Sequence, residues 1–439
     1  MKFRGPVISA ITVILLLGLV TGGTFAAKTF RVSCDWNENE PAYEWLEFAA
    51  KKFEELHPGV KVVIESEHRT FGQTLKQRIL AGDIPDVMDS WGFSQDTPSL
   101  LESIEAEALF DLTAAMEGPS FDGEDKWKDT FVPALVDALT LEGKTWGMPF
   151  QYYTNVFHYN RAIFADGGLE PPATWDEFRI VLQKIKAMGI APIGKDAVYS
   201  RTEYKPVEQR VVGADAQLAA LKEPALLKTN PDFLQALQMY KEVFMDNYQE
   251  GYSGSQFPAA QMLFAQGKVA MMYMGTWLNS EIKGNTPPGF SMDVFGFPAI
   301  PGGKGIQNLM VINNTPSILV PAGAANKDLA VEWLRFISSK DMVKSFVEQT
   351  MMLNGMRYAD PPAWAANVNK ILAQAYLTRD EWFWDEEAVT INANLEKHMQ
   401  EDTTLWNKFF AGEITAESYL DQLVKLREKA WEQFKKYGR

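Results

Sequence analysis

The stretch MLFAQGKVAMMYMGTW, from Met262 to Trp277, contains the strongest evidence for the fold. Its first residues have helical spacing of apolar side chains and end at Gly267, a residue suited to the backbone turn that closes a helix. The segment from Val269 to Met274 then has no polar alternation. Because a strand that is apolar on both faces is usually buried between layers of helices, the stretch predicts a helix followed by a central strand of an α/β sheet.

The N-terminal part of the chain alternates strands with helices. The predicted order is a strand at 29–36, a helix from Pro41 to His57, a strand at 60–65, a helix at 70–81 and a strand at 85–91. Parallel strands need long crossover connections, which are usually helices, so this order predicts a parallel sheet.

The middle of the chain also alternates predicted strands with predicted helices. A strand is predicted at 155–160, and Thr174 with Glu177 forms the pattern of a capping box at a helix start. The Pro- and Gly-rich segment 297–303 suggests a crossover between domains. A strand at 317–320 and a helix at 328–338 follow, and the remainder is predicted to be mostly helical.

The length of the chain and its first residues indicate how the domains are organised. A chain of 439 residues is too long for one compact core and suggests about two domains. Lys2 and Arg4 precede an apolar run and small residues, the pattern of a signal peptide cleaved near Ala26 or Ala27. The run is shorter than the ~20 residues that span a membrane. We therefore expect an exported, periplasmic or extracellular product.

Charge and residue usage exclude several classes of function. The formal net charge is −15, and removal of the basic residues Lys2 and Arg4 makes it more negative by two. Nucleic-acid binding depends on cationic contacts to phosphates, so we expect no nucleic-acid partner. Cys34 is the only cysteine, which precludes an intrachain disulfide and fits a buried structural thiol. With four His and no zinc-binding or nucleophile motif, we expect no metal, no cofactor and no catalytic residues.

Tryptophan recurs where predicted strands end. Trp36, Trp91 and Trp277 each follow a strand, and in open α/β sheets ligands bind beyond the carboxyl ends of the strands. An indole face is large, rigid and apolar, which suits the apolar face of a sugar ring. Polar residues that can bind hydroxyl groups lie beside these tryptophans: Asn37, Glu38, Asp89, Ser90 and Asn279. The pattern predicts a sugar site, although the residues do not distinguish a sugar from another solute that stacks on Trp.

Several segments together resemble a known family. They are 53–63, 80–87, 143–149, 159–160, 171–177, 267–277 and 326–333. In this order the chain resembles a family 1 extracellular solute-binding protein of an ABC importer, in the carbohydrate-binding branch that includes maltose-binding protein. The resemblance extends over nearly the whole chain that follows the signal peptide.

The resemblance implies a fold class and a function. The fold is an α/β, two-lobed periplasmic-binding-protein fold (class II-like), in which each lobe is a sheet flanked by helices and the C-terminal region is mainly helical. Residues 28–150 plus 303–350 are expected to form lobe 1, and residues 151–302 plus 351–439 lobe 2. The implied function is capture of a sugar or oligosaccharide between the lobes by hinge closure, by a monomer that delivers it to ABC transporter permease subunits.

The resemblance also implies ligand contacts. Trp277, after Gly275, matches the family's sugar-stacking Trp, and Gln151 and Tyr152 follow the crossover where the family meets its ligand. The complete expected set is Trp36, Asn37, Glu38, Asp89, Ser90, Trp91, Gln151, Tyr152, Gly275, Trp277, Asn279, Arg357 and Tyr358. Trp364, Trp382 and Trp384 either line the cleft or pack against C-terminal helices, and packing is the preferred interpretation.

An enzyme remains the alternative at this point. A secreted glycoside hydrolase or lyase would share the acidic, Trp-rich composition and would place two carboxylates across a sugar site. Glu38 and Asp89 lie near the predicted site, but an acidic protein offers many such pairs. The number of predicted strand–helix units is too low for a barrel enzyme, which favours the binding protein.

Overall fold

The computed structural model describes residues 27–66, 77–78, 80–89, 103–104, 106–314, 317–378, 395, 399 and 402–437. The expected signal peptide, Ser90, Trp91, Trp382, Trp384 and most of the helix predicted at 70–81 lie outside the described residues.

The described strands are, in chain order, β1 (Lys28–Cys34), β2 (Val60–Ser66), β3 (Val87–Asp89), β4 (Thr140–Leu141), β5 (Lys144–Thr145), β6 (Met148–Pro149), β7 (Tyr153–Asn160), β8 (Ala191–Ile193), β9 (Val269–Gly275), β10 (Met292–Phe295), β11 (Leu309–Asn314), β12 (Ser317–Leu319) and β13 (Tyr376–Thr378).

The described α-helices are Pro41–Leu56, Thr113–Met116, Pro133–Asp137, Arg161–Asp166, Trp175–Ala187, Tyr204–Val212, Ala214–Lys222, Leu226–Thr229, Pro231–Val243, Ala259–Ala265, Leu278–Glu281, Lys327–Ile337, Lys340–Thr350, Val368–Gln374, Asp402–Phe410 and Ala416–Tyr437. Among the described residues, no helix has both the length and the apolar character needed to cross a membrane.

The first sheet has the strand order β2-β1-β3-β12-β6. β1 pairs in parallel with both β2 and β3, which confirms the parallel pairing predicted from the alternation of strands and helices. Helices cover the sheet through aromatic contacts. The ring of Phe30 on β1 lies 5.9 Å from the rings of Phe53 and Trp333, which come from two different helices. Cys34 is buried in the same core, and this burial raises the pKa of its thiol.

The second sheet has the strand order β13-β11-β7-β9-β8, and β10 pairs with β7. All seven residues of β9 are buried, between the antiparallel β7 and the parallel β8. This confirms the central strand predicted from the apolar run at 269–274. The final two helices pack against the same core, where the ring of Trp406 lies 5.0 Å from that of Tyr204.

Local sequence signals for helix ends are confirmed. The Thr174 hydroxyl accepts a hydrogen bond from the Glu177 amide, and the Glu177 carboxylate accepts one from the Thr174 amide, which completes the capping box. Gly267 follows the helix Ala259–Ala265 with a φ of +70°, a backbone angle that other residues adopt at a cost.

Two features differ from the sequence expectation. The expected lobe 1 includes residues 303–350 and therefore β11, but β11 lies in the second sheet beside β7. The Pro- and Gly-rich segment 297–303 is not a crossover: the Phe297 ring packs 5.7 Å from that of Phe157, and Ala299 bridges to Thr174. Such a composition indicates a turn but does not indicate which elements the turn joins. The chain instead passes between the sheets at 150–152, between β11 and β12, and between the helix Lys340–Thr350 and β13. The remaining division into lobes stays a prediction.

Candidate functional site

A cavity of about 550 Å³ lies between the two sheets. This volume falls within the range of roughly 300–1,000 Å³ that is typical of small-molecule sites. Residues at the carboxyl end of β1 and Asp89 form one wall, and residues next to β7 and β9 form the opposite wall. Phe150, Gln151 and Met352 line the cavity where the chain runs between the sheets.

Trp277 forms an aromatic surface on the second-sheet wall. It is half-buried and lies two residues beyond the last residue of β9. The Tyr153 ring meets the indole edge to face, with centroids 5.7 Å apart and an interplanar angle of 82°. The Trp277 side chain also lies close to the Tyr199 hydroxyl, and both residues line the cavity. These contacts hold the Trp277 ring in one orientation.

Gly275 provides the space that the Trp277 indole occupies. A Cβ atom at position 275 would lie only 2.1–2.3 Å from three carbon atoms of that ring. Such distances are far below van der Waals contact, so any other residue at position 275 forces the indole to move.

Gly275→Ala is therefore expected to weaken ligand binding on the order of tenfold, because the displaced indole presents a different surface to the ligand. Isothermal titration calorimetry with the ligand measures the change. Gly254→Ala is the matched control, since a Cβ at position 254 would meet no atom within 4 Å. Equal affinity of the Gly275→Ala variant and the unaltered protein would contradict the proposed role of the glycine.

Trp36 lines the cavity from the side of the first sheet. It is half-buried beyond the end of β1, and its ring centroid lies 6.4 Å from that of Phe346. Its carbonyl accepts a hydrogen bond of 2.6 Å from the Ser66 hydroxyl. Two indoles carried by different sheets, Trp36 and Trp277, therefore line one cavity.

The charged residues that line the cavity are acidic in the part of the chain that the structure describes: Asp35, Glu40, Asp89 and Glu281. The Asp89 carboxylate accepts a hydrogen bond of 2.8 Å from the Asp35 amide. The Gln261 amide donates one of 2.7 Å to the Glu281 carboxylate. No Lys, Arg or His belongs to this described lining.

The phenols of the cavity stay protonated. Burial, followed by the charges of Glu40 and Asp89, raises the pKa of Tyr153 above its usual range. Burial and then the charge of Glu281 raise the pKa of Tyr199 to about 12. Both hydroxyls are therefore neutral at physiological pH and can donate and accept hydrogen bonds. Burial likewise raises the pKa of Glu281.

Two buried donors line the cavity without a hydrogen-bond partner among the described residues. They are the Ser33 hydroxyl, on a residue that is 1% exposed, and the indole N–H of Trp333. A buried polar group without a partner is costly, so water or a ligand is the expected partner.

The predicted contact residues occupy different places. Trp36, Asp89, Gln151 and Trp277 line the cavity together, and Gly275 lies beneath the indole. Asn37, Glu38, Tyr152 and Asn279 do not belong to the lining. Ser90 and Trp91 lie outside the described residues.

Arg357 and Tyr358 lie apart from the cavity. The Tyr358 hydroxyl donates to the backbone carbonyl of Ser338, and the Arg357 amide donates a 2.8 Å hydrogen bond to the carbonyl of Thr130. Trp364 is buried, with its ring stacked 5.6 Å from that of His158, so it packs in the core as preferred from the sequence.

Sequence reasoning missed several cavity residues. The sequence analysis selects Tyr152, which is 3% exposed and packs in the core of the second sheet, whereas its neighbour Tyr153 lines the cavity. Asp35 and Glu40 flank the selected pair Asn37 and Glu38. Tyr199 lies in a short 3-10 turn that carries no recognisable pattern. Within the described residues, no group of three or more His, Cys, Asp or Glu side chains is arranged to hold a metal ion.

Comparison with known proteins identifies relatives. The family model described as bacterial extracellular solute-binding protein matches residues 35–344. The multiple sugar-binding protein of Streptococcus mutans is 25% identical over 308 residues, which cover 68% of this chain and 70% of that protein. The diacetylchitobiose binding protein of Streptomyces coelicolor is 24% identical over 375 residues, covering 82% and 76% respectively.

A solved structure shares the architecture. The apo-form of RafE from Streptococcus pneumoniae superposes with a TM-score of 0.69 at 18% identity, covering 93% of this chain and 99% of that one. At this level of identity the likeness concerns the fold. It confirms the two-lobed α/β architecture predicted from the sequence.

Proposed function

This chain belongs to the family of bacterial extracellular solute-binding proteins, and we propose that it captures a sugar or oligosaccharide in the cavity between its two sheets and delivers it to an ABC transporter permease. The family consists of binding proteins, so the choice between a binder and a glycoside hydrolase is decided in favour of the binder. The proposal includes export by a cleaved signal peptide, location in the periplasm or outside the cell, and a monomeric state.

The observation that carries the proposal is the pair of indoles, Trp36 and Trp277, on opposite walls of one cavity. Each offers a rigid apolar face to a sugar ring. Carboxylates and neutral phenols beside them can accept and donate hydrogen bonds to hydroxyl groups at the ring edge. The relatives named for binding multiple sugars and diacetylchitobiose support this ligand class.

The position of the cavity between the two sheets supports closure of the two sheet-containing parts around the ligand. A ligand that contacts both walls stabilises the closed arrangement by its additional contacts, and only this difference can shift the equilibrium. The segments that run between the sheets meet at a bridge between Gln151 and Asn354. We place the hinge at these segments, and the closed form would then bind the permease.

The test is a thermal-shift screen of the purified protein against mono-, di- and trisaccharides, followed by calorimetric titration of those that stabilise it. A sugar recovered unchanged after incubation supports capture without chemistry. If no saccharide stabilises the protein, sugar is not the ligand. Release of new reducing ends would show that the protein is a glycoside hydrolase instead.

Anionic saccharides are expected to bind at least about tenfold more weakly than neutral ones of the same length, because the described lining of the cavity is acidic and charge repulsion is strong in a partly desolvated site. Calorimetric titration with a neutral sugar and its uronic acid counterpart measures this. Glu40→Gln should reduce the difference in affinity between the two sugars. Glu47→Gln, on an exposed face of the helix that begins just after Glu40, should leave that difference unchanged. Equal or tighter binding of the uronic acid would contradict this expectation.

A further inference from the structure

Four aromatic side chains lie in a row that runs from the cavity to the surface of the part of the molecule that contains the second sheet. This aromatic row consists of Tyr153, Trp277, Tyr199 and Phe257. The Tyr153 and Trp277 rings are 5.7 Å apart, and Trp277 and Tyr199 lie close together in the lining of the same cavity. The Tyr199 ring in turn meets Phe257 edge to face, at 6.3 Å and an angle of 74°. The first three residues line the cavity, and Phe257 lies beyond it.

The outer end of the row is exposed. Phe257 is 49% exposed, and Val198, next to Tyr199 in the chain, is 69% exposed. Phe257 packs against Tyr199 on one side and keeps about half of its surface exposed, so an aromatic face remains open to a ligand beside the cavity.

The loops that carry Tyr199 and Phe257 are tied together beneath the surface. Asp196 is fully buried, and its carboxylate accepts hydrogen bonds from the Ser255 hydroxyl (2.7 Å) and the Ala260 amide (3.0 Å). The Ala197 amide also donates to the Ser255 carbonyl at 2.9 Å. Phe257 is therefore presented by anchored backbone on both sides, and little conformational freedom is left for a ligand to remove when it stacks on the ring.

We infer that Phe257 forms an outer subsite, which stacks on a sugar unit that extends out of the cavity along the aromatic row. This inference rests on the proposed function. It specifies that the ligands are oligosaccharides long enough to reach from the cavity to the surface. Continuity of the row with the cavity favours a sugar unit as the occupant of this surface. Ser280 and Glu281 line the cavity from which this unit would extend.

The experiment is a calorimetric series in which each oligosaccharide of one type, from two to six units, is titrated into the unaltered protein and into Phe257→Ala. The unaltered protein is expected to gain affinity when the added unit reaches Phe257. Phe257→Ala should remove that gain, a loss on the order of tenfold, and should leave the affinity for the shortest ligand unchanged. Phe257→Trp should restore the gain.

Ile180→Ala is the matched control, since Ile180 is 52% exposed and does not line the cavity. Ile180→Ala should leave the affinity for every oligosaccharide of the series unchanged. Affinity that does not depend on length in the unaltered protein, or an equal loss at every length in Phe257→Ala, would overturn the outer subsite while leaving sugar capture intact. If no saccharide of any length binds the unaltered protein, both the proposed function and the outer subsite are overturned.

Discussion

Replacing Trp277 with Ala is expected to reduce affinity for the captured saccharide by roughly 5- to 150-fold, corresponding to the ~1–3 kcal/mol that a buried aromatic anchor contributes. The indole is held by Tyr153 and lies over Gly275, so its orientation is set before the ligand arrives. Truncation removes both the stacking surface and part of the cavity wall. Calorimetric titration of the two proteins with the same saccharide measures the loss.

Two further variants make this result specific. Trp277→Phe keeps an aromatic face and should recover part of the affinity. Trp431→Ala removes a half-buried indole of the C-terminal helix, whose N–H donates to the Leu221 carbonyl at 2.9 Å, and it should leave binding unchanged. Unchanged affinity in Trp277→Ala would show that the ligand does not stack on this residue.

Lys195→Met is expected to lower the free energy of unfolding by about 3–5 kcal/mol, the usual cost of removing one partner of a buried ion pair. Lys195 and Glu203 are 2% and 0% exposed and form an ion pair. Burial lowers the pKa of Lys195 and raises the pKa of Glu203, while each partner opposes the shift of the other. Without Lys195, Glu203 must either remain charged in the core or take up a proton.

The loss of stability should depend on pH in a defined direction. The pKa of Glu203 is higher in the folded state than in the unfolded state. Proton binding to Glu203 therefore adds to the free energy of unfolding in full below the unfolded-state pKa, and this added stability is lost as the pH rises through the folded-state pKa. Removing Lys195 raises that pKa further. The difference in stability between Lys195→Met and the unaltered protein should therefore be smaller near pH 5 than near pH 8, as measured by urea unfolding.

An exposed pair provides the control. Lys241 lies 3.0 Å from Asp246, and both side chains are about half exposed, so Lys241→Met should cost no more than about 1 kcal/mol. A cost for Lys195→Met as small as this, or one independent of pH, would contradict the proposed role of the buried pair. The pair also supports the site, because the Lys195 ammonium donates to the backbone carbonyl of Tyr199 at 2.8 Å.

Much of the fold was predictable because its signals are local. Apolar runs, turn residues and the capping box at Thr174 report burial and helix ends within a few positions of the chain, and the structure confirms them. The position of β11 was not predictable in this way. Its place beside β7 depends on pairing between segments about 150 residues apart, which no short pattern records.

The site was predictable only in part. Trp36 and Trp277 follow strands whose carboxyl ends point to one groove, so topology was sufficient to bring them together. Tyr152 directly precedes β7 and Tyr153 is the first residue of that strand, and neighbouring residues of an extended chain face opposite sides. The pairing of β7 with β9 and β11 fixes the position of Tyr153, which lines the cavity, whereas Tyr152 is buried in the core.

The sequence by itself therefore determined the two sheets' central strands, the family and the tryptophans available for stacking. The tertiary structure alone decided which polar groups surround them: Glu40, Tyr199 and Glu281 come from separate loops and helix ends. The physical reason is that periodicity along a chain reports whether a side chain is buried, whereas membership of a cavity depends on which distant segments converge around the same empty volume.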